Sequence, residues 1–193
     1  LSDRLIELMA SHPKVCKYLD LPLQHCGGGI LKRMGRQGSR RKLEELVQRL
    51  RADIPGLTLR TTLIVGFPGE TEEEFEGLLE FVEAMRFERL GAFRYSREEG
   101  TRAALLPDQV PESTKKKRWR KLMKLQRGIS LAHNRSVVGT DQGVLIDHPL
   151  DSGPGCGGSL AGPTQSFLEV AFCQRWFSRF RACCQPGLQL RQQ

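Results

Sequence analysis

The chain has 193 residues, 30 Lys and Arg against 22 Asp and Glu, a formal net charge of +8 and 39% hydrophobic residues. That is enough for a real core, and no apolar run approaches the roughly 18–20 residues needed to span a bilayer. The polar opening Leu1-Ser2-Asp3-Arg4 lacks the apolar core of a secretory leader.

The first residue is not Met, so a fragment or a processed product is expected. Residues 1–150 carry 26 basic and 20 acidic side chains, so the body is charge-rich rather than uniformly cationic. Such a balance permits contact with RNA or ribosomal surfaces without demonstrating it. Cys16 and Cys26 lie in the body, while Cys156, Cys173, Cys183 and Cys184 fall in the tail. With no Cys-x-x-Cys spacing, no self-contained zinc or iron–sulfur site is written here, and reduced cytosolic thiols are expected.

Taken in chain order, Leu5, Ile6, Leu8 and Met9 mark a short helix over 3–10, capped by Ser2 or Asp3. Tyr18 to Leu23 reads as short and extended, with Pro22 at a strand terminus. Ile30, Leu31 and Met34 mark a short helical turn after Gly27-Gly28-Gly29. Ser39 opens a helix with Leu43, Leu46, Val47 and Leu50 at helical spacing, ended by Pro55-Gly56.

A second strand covers 57–65 and runs into Gly66-Phe67-Pro68-Gly69-Glu70. Thr71 and Glu74 form a capping-box pattern at the start of a helix over 72–86, with Phe75, Leu78, Leu79, Val82 and Met85 on one face. A third strand is predicted at 89–95 and a loop at 97–112. A long basic helix follows at 113–133, and extended chain at 137–150. From Asp151 the chain has six glycines and six charged side chains in its last 43 residues, with neither a clean strand nor a confident helix period. A divergent small β domain and a translated non-homologous end both fit that stretch, and the second is preferred.

Strand, helix, strand, helix, strand with short connections implies consecutive right-handed βαβ units on a parallel sheet. All strand carboxyl ends then point one way, where α/β proteins hold ligands. Three ends converge: Gln24-His25-Cys26, Gly66 to Glu70, and Tyr95-Ser96-Arg97-Glu98-Glu99. Gly66 and Gly69 permit close backbone approach, and the amides of a helix start suit an acidic or polar ligand. Each piece has a plainer reading. His25 serves equally as a packing residue, Cys26 as a semi-buried small side chain, Glu70 as a partner of the helix dipole and residues 97–99 as an exposed loop. The run 115–121 reads as a solvated face or as a dock for ribosomal or tRNA phosphates.

Tyr18 to His25, Leu31-Lys32-Arg33-Met34, Arg60 to Thr71 and Phe93 to Thr101 together resemble the radical S-adenosylmethionine methylthiotransferases. Pro107 to Pro111 and Leu131 to Arg135 extend the resemblance to about residues 1–148. It implies an α/β fold: the C-terminal half of a partial (β/α) barrel over 1–135, the start of a TRAM-like β domain over 136–150 with a first strand at Val144 to Asp147, and a divergent tail over 151–193. It also implies S-adenosylmethionine and two four-iron four-sulfur clusters in the complete enzyme. The cluster ligands would lie outside this chain, so Cys16 and Cys26 are not promoted to ligands, no metal site is assigned and the chain alone is expected to be inactive.

Gln24, Gly66 and Glu70 are expected to line the S-adenosylmethionine pocket, with Tyr95 and Ser96 beside it and no catalytic residue assigned. Gly27-Gly28-Gly29 stands where a Ser-Asp-like cap is expected, which should loosen that helix start. The segments at Tyr18 to His25 and Glu98 to Thr101 favour the branch acting on an aspartate of ribosomal protein S-twelve, in the cytoplasm or an organelle. A tRNA-adenosine methylthiotransferase and a non-catalytic ribosome- or RNA-binding remnant are the alternatives.

Overall fold

The computed structural model describes residues 1–140, 148–150, 159–163 and 169–173. Chain contacts divide it into two units, Leu1–Val137 and Val138–Gln193.

In the first unit, α1 (Asp3–Ser11) is capped by Ser2, whose hydroxyl accepts from the Leu5 amide. Strand β1 (Tyr18–Asp20) stops before Pro22. Helix α2 (Gly28–Arg33) follows, with Gly27 as an N-cap that offers no side chain. Ser39 caps α3 (Arg40–Asp53), accepting from the Lys42 amide. Strand β2 (Thr58–Val65), helix α4 (Glu72–Met85) and strand β3 (Arg89–Arg94) come next. The predicted capping box is formed, with Thr71 and Glu74 each accepting the other's amide. The loop expected over 97–112 holds a 3-10 turn at Arg102–Leu105, started by Thr101, whose hydroxyl accepts from the Ala104 amide. Helix α5 (Glu112–Ser136) is longer than its apolar spacing alone suggests.

The sheet order is β1-β2-β3, and both pairings are parallel. Tyr18 stands beside Thr58, and Arg60 to Val65 stand beside Arg89 to Arg94. Side chains of a strand alternate between faces. Leu59, Leu63 and Val65 of β2 thus share a face and join Val47 and Leu50 of α3, Phe75, Leu78, Phe81 and Val82 of α4, and Leu122 and Ile129 of α5 in one core. Each fully buried aliphatic or phenyl side chain contributes about 1.5–3 kcal/mol, so this face fixes the register. The other face presents Arg60 and Asp20, paired at 3.6 Å, and Phe93, which is 62% exposed.

The amino ends of the strands are pinned by polar contacts. Glu88 accepts the Leu59 amide at 2.8 Å and pairs with Arg51 at 3.0 Å, and Arg51 also donates to the carbonyls of Met85 and Arg86. Gln126 and Ser130 of α5 donate to the carbonyls of Phe87 and Glu88.

In the second unit, β4 (His148–Leu150), β5 (Ser159–Pro163) and β6 (Glu169–Cys173) form an antiparallel sheet in that order. Two of these strands fall in the tail where the sequence shows no clean strand. Gly162 and Pro163 blur the local alternation, and the ladder between β5 and β6 supplies the order that short-range pattern lacks. The first strand expected at Val144 to Asp147 lies outside the described residues.

Candidate functional site

The carboxyl ends of β1, β2 and β3 meet along one rim, as parallel pairing requires. Beyond β1, Thr61 fastens the chain around Pro22: its hydroxyl donates to the Leu21 carbonyl at 2.9 Å and accepts from the Leu23 amide. Gln24 then rejoins the sheet. Its amide donates to the Thr62 carbonyl and its carbonyl accepts from the Ile64 amide, both at 2.8 Å. It does so at φ 71°, a left-handed conformation unusual for a residue with a Cβ. The half-buried Gln24 is thus held rigidly beside the end of β2.

His25 is fully buried and joins two loops. Its Nδ1 accepts from the Gly27 amide at 2.8 Å, which leaves the proton on Nε2, 3.3 Å from Glu70 Oε1. Gly27, which has no capping side chain of its own, is anchored by this contact instead. His25 is therefore a packing and tethering residue, the plainer of its two readings.

Glu70 is the hub of the rim. Its side chain has no exposed surface. Oε1 faces His25, while Oε2 accepts from the Gly66 amide and from Arg118 Nη1 at 3.0 Å. Arg118 also donates to the Glu70 carbonyl at 2.9 Å and pairs with Glu72 at 3.0 Å. One carboxylate thus ties the end of β1, the end of β2 and α5 together, and it lies beneath the rim surface. A buried charge is tolerated because it is paired and hydrogen-bonded on every side.

Gly66 sits at φ 72°, and a Cβ there would collide with the Lys115 stem. Gly69 is held to glycine by its left-handed φ of 78°, beside an Arg33 guanidinium that could swing aside, and its amide donates to the Asp108 carbonyl at 2.8 Å. Both glycines of the turn are thus required by geometry.

Tyr95 closes the third strand end. Its amide donates to the Val65 carbonyl at 3.0 Å, and its ring packs edge-on against Phe67 with centroids 5.1 Å apart. Lys115 lies 5.0 Å over that ring and donates to the Tyr95 carbonyl at 2.9 Å. The Tyr95 hydroxyl is buried without a hydrogen-bond partner among the described residues. Ile30, Phe67 and Tyr95 form a small apolar cluster with Met34 and Ile64. Ser96 is exposed and donates to Glu98 at 2.7 Å.

Gln24, Gly66, Glu70 and Tyr95 are therefore joined through sheet bonds, the Glu70 hub and Lys115. Ser96 stands outside that network. An open cleft of about 660 Å³ is lined by Tyr95 and Ser96 together with Phe93, Arg94, Lys115 and Trp119. It lies between the carboxyl end of β3 and the start of α5 and does not include Gln24, Gly66 or Glu70.

Residues 115–121 do not form a single exposed patch. Lys115 and Arg118 are buried, and Lys121 pairs with Glu76 at 3.3 Å. Lys115, Arg118, Leu122, Gln126 and Ile129 are the buried residues of α5, and their helical spacing runs straight through the basic stretch. That spacing was the available signal for Arg118 and Lys115 as site residues.

An orphaned hydroxyl, an apolar cluster and a glycine turn without side chains suit a nucleoside-bearing ligand such as S-adenosylmethionine. Iron–sulfur ligation does not fit the described residues. They contain no group of three or more His, Cys, Asp or Glu placed to hold a metal. Cys26 is buried and donates to the Gly77 carbonyl, and burial pushes its thiol up to about 12, partly offset by Arg40. A thiol so reluctant to ionise is a poor ligand and a poor nucleophile.

Comparison with known proteins agrees with this architecture. Residues 1–82 match the Radical SAM superfamily. The chain is 56% identical over 147 residues to the ribosomal protein uS12 methylthiotransferase RimO of Geotalea uraniireducens and 54% identical over 147 residues to that of Geobacter sulfurreducens. It is 46% identical over 154 residues to the RimO of Desulforamulus reducens. The first two matches cover 76% of this chain but 33% of each relative, so the chain spans about a third of their length. Coproporphyrinogen III oxidase (HemN) from Escherichia coli, a radical SAM enzyme, superposes with a TM-score of 0.50 at 16% identity, covering 77% of this chain and 41% of that one. That likeness concerns the fold alone. Among the described residues, no helix is long and apolar enough to cross a membrane. Over residues 1–82 the chain is thus similar to the Radical SAM superfamily, and over 147 residues it is similar to about a third of RimO.

Proposed function

We propose that this chain supplies the S-adenosylmethionine-holding part of a methylthiotransferase that places a methylthio group on the β-carbon of an aspartate in ribosomal protein uS12. The observation that carries the reading is identity above 50% over 147 residues to relatives bearing that name. A cytoplasmic site of action follows from a ribosomal substrate.

S-adenosylmethionine, when bound, supplies the radical precursor and the methyl group. This chain's residues bind and orient it. Gly66, its amide held by Glu70, shapes the turn at the end of β2, Gln24 offers a rigidly placed amide side chain, and the Tyr95 hydroxyl offers an unused polar group beside an apolar wall. Ser96 lies at the outer margin. Glu70 acts through Gly66, holding its amide and the neighbouring loops in place. Preorganised groups of this kind position a ligand and exclude water around a reactive species. The iron–sulfur clusters of the complete enzyme would be held by residues outside the described set. The TRAM-type assignment for residues 136–150 belongs to the same proposal.

The test is a chimera. The matching stretch of the Geotalea uraniireducens relative is replaced by residues 1–147 of this chain, and uS12 from cells lacking their own enzyme is analysed by mass spectrometry. Methylthiolated uS12 is the expected product. A folded, cluster-loaded chimera that leaves uS12 untouched overturns the proposal, and one that modifies a tRNA adenosine instead moves the chain to that branch.

A further inference from the structure

Helix α5 has one acidic residue, Glu112, in 25 positions. Its internal contacts engage Lys115, Arg118 and Lys121, as described above. Among the cations that remain exposed and without an acidic partner among the described residues, Lys116, Lys117, Arg120, Lys124 and Arg127 follow closely along the helix, and Arg135 stands about two turns further on. At 3.6 residues per turn they fall within an arc of about 100°, and Lys116 to Arg127 spans about 16 Å of axis. The stripe lies opposite the face that buries Leu122, Gln126 and Ile129.

Five like charges in one stripe repel one another and weaken the helix unless an anion neutralises them. We propose that this stripe docks the phosphate backbone of double-helical RNA. A duplex carries about one phosphate charge per 1.7 Å of axis, more than enough to face all five cations. Stacking on single-stranded bases calls for exposed aromatic rings. The one aromatic residue of α5, Trp119, is instead turned inward, donating to the Ala92 carbonyl at 2.7 Å. A membrane-surface helix needs a free apolar face, and here that face is packed on the sheet. Recognition therefore rests on backbone charge, with no base readout. RNA as the polyanion rests on the ribosomal reading above, whereas the stripe itself does not.

Fluorescence anisotropy with the full chain and a labelled RNA duplex of about 16 base pairs tests this. Five phosphate contacts predict a slope of about −4.5 in log affinity against log salt, or about a 500-fold loss between about 50 and 200 mM. The variant with Lys116, Lys117, Arg120, Lys124 and Arg127 all changed to Gln, which keeps helix propensity, should lose most of the affinity and flatten the slope. A Lys116→Arg, Lys117→Arg, Lys124→Arg variant should retain both, and Lys14→Gln should change neither. Wild-type-like binding by the folded five-Gln variant overturns the proposal. Equal or tighter binding of a DNA duplex, or displacement of RNA by anionic phospholipid vesicles at matched charge, overturns the assignment to RNA. An inactive chimera would sink the methylthiotransferase reading while leaving this titration to be decided by its own slope.

Discussion

Glu70 illustrates how one side chain can look like a ligand contact and work as a brace. A carboxylate at the end of a glycine turn and the start of a helix suggests an acidic group facing a cofactor. In the folded chain both of its oxygens are occupied, by His25, the Gly66 amide and Arg118. Removing the charge from a buried pair strands the partner. Glu70→Gln should therefore destabilise the chain by about 3 kcal/mol in urea titrations. Changing Arg118→Gln in the same background should add much less than it costs alone. Additive losses would mean that the pair is not coupled. Gly66→Ala asks a different question. With φ at 72° and Lys115 against the site, the added methyl should cost about 1–2 kcal/mol. The larger effect should be on S-adenosylmethionine binding, measured by equilibrium dialysis, because the added methyl displaces Lys115 and the turn that shapes the rim. A Gly66→Ala chain that binds as well as wild type removes Gly66 from the pocket.

At the scale of elements, what the sequence made legible was whatever local pattern controls. The strand–turn–helix corner at 58–85 was readable because its capping box, its glycine turn and its apolar spacing all agree on one structure. Thr71→Ala should cost about 1 kcal/mol of stability, and hydrogen exchange should show the loss concentrated in the first turn of α4. Uniform protection along that helix would show that the cap is dispensable. Elsewhere local pattern misled. In α5 a block of consecutive cations hid the spacing that buries Lys115 and Arg118, because their role depends on Tyr95 and Glu70, which are distant in sequence. Likewise, nothing beside His25 in the chain indicates that its ring would span Gly27 and Glu70. The strands of the tail escaped notice for a related reason, since a ladder partner is not a local property.

For the molecule as a whole, the layers explain where new contacts can form. The outer edge of β3 is occupied by α5, through Trp119 on the Ala92 carbonyl and Lys115 on the Tyr95 carbonyl. Those contacts keep another strand from adding there. Purely parallel sheets are normally covered on both faces, yet here α3, α4 and α5 pack on one face, while on the other α2 covers only the carboxyl end at Ile64 and Arg60, Asp20 and Phe93 are exposed. The helix side therefore sets global stability, and Cys26 in that core makes it pH-dependent. Burial raises its thiol from 9.0 to about 12, so between those values the folded chain keeps a proton that the unfolded chain releases. Stability from this group is complete below pH 9.0 and falls as the pH rises towards about 12. By about pH 10.5 the loss should be about 2 kcal/mol at roughly 1.4 kcal/mol per unit. Cys26→Ala gives up some packing at every pH but has no thiol to ionise. Urea titrations of the two chains at neutral and alkaline pH should thus converge as the pH rises, while the lysines and tyrosines common to both cancel. Parallel curves would mean that the Cys26 thiol ionises as readily in the folded chain as in the unfolded one.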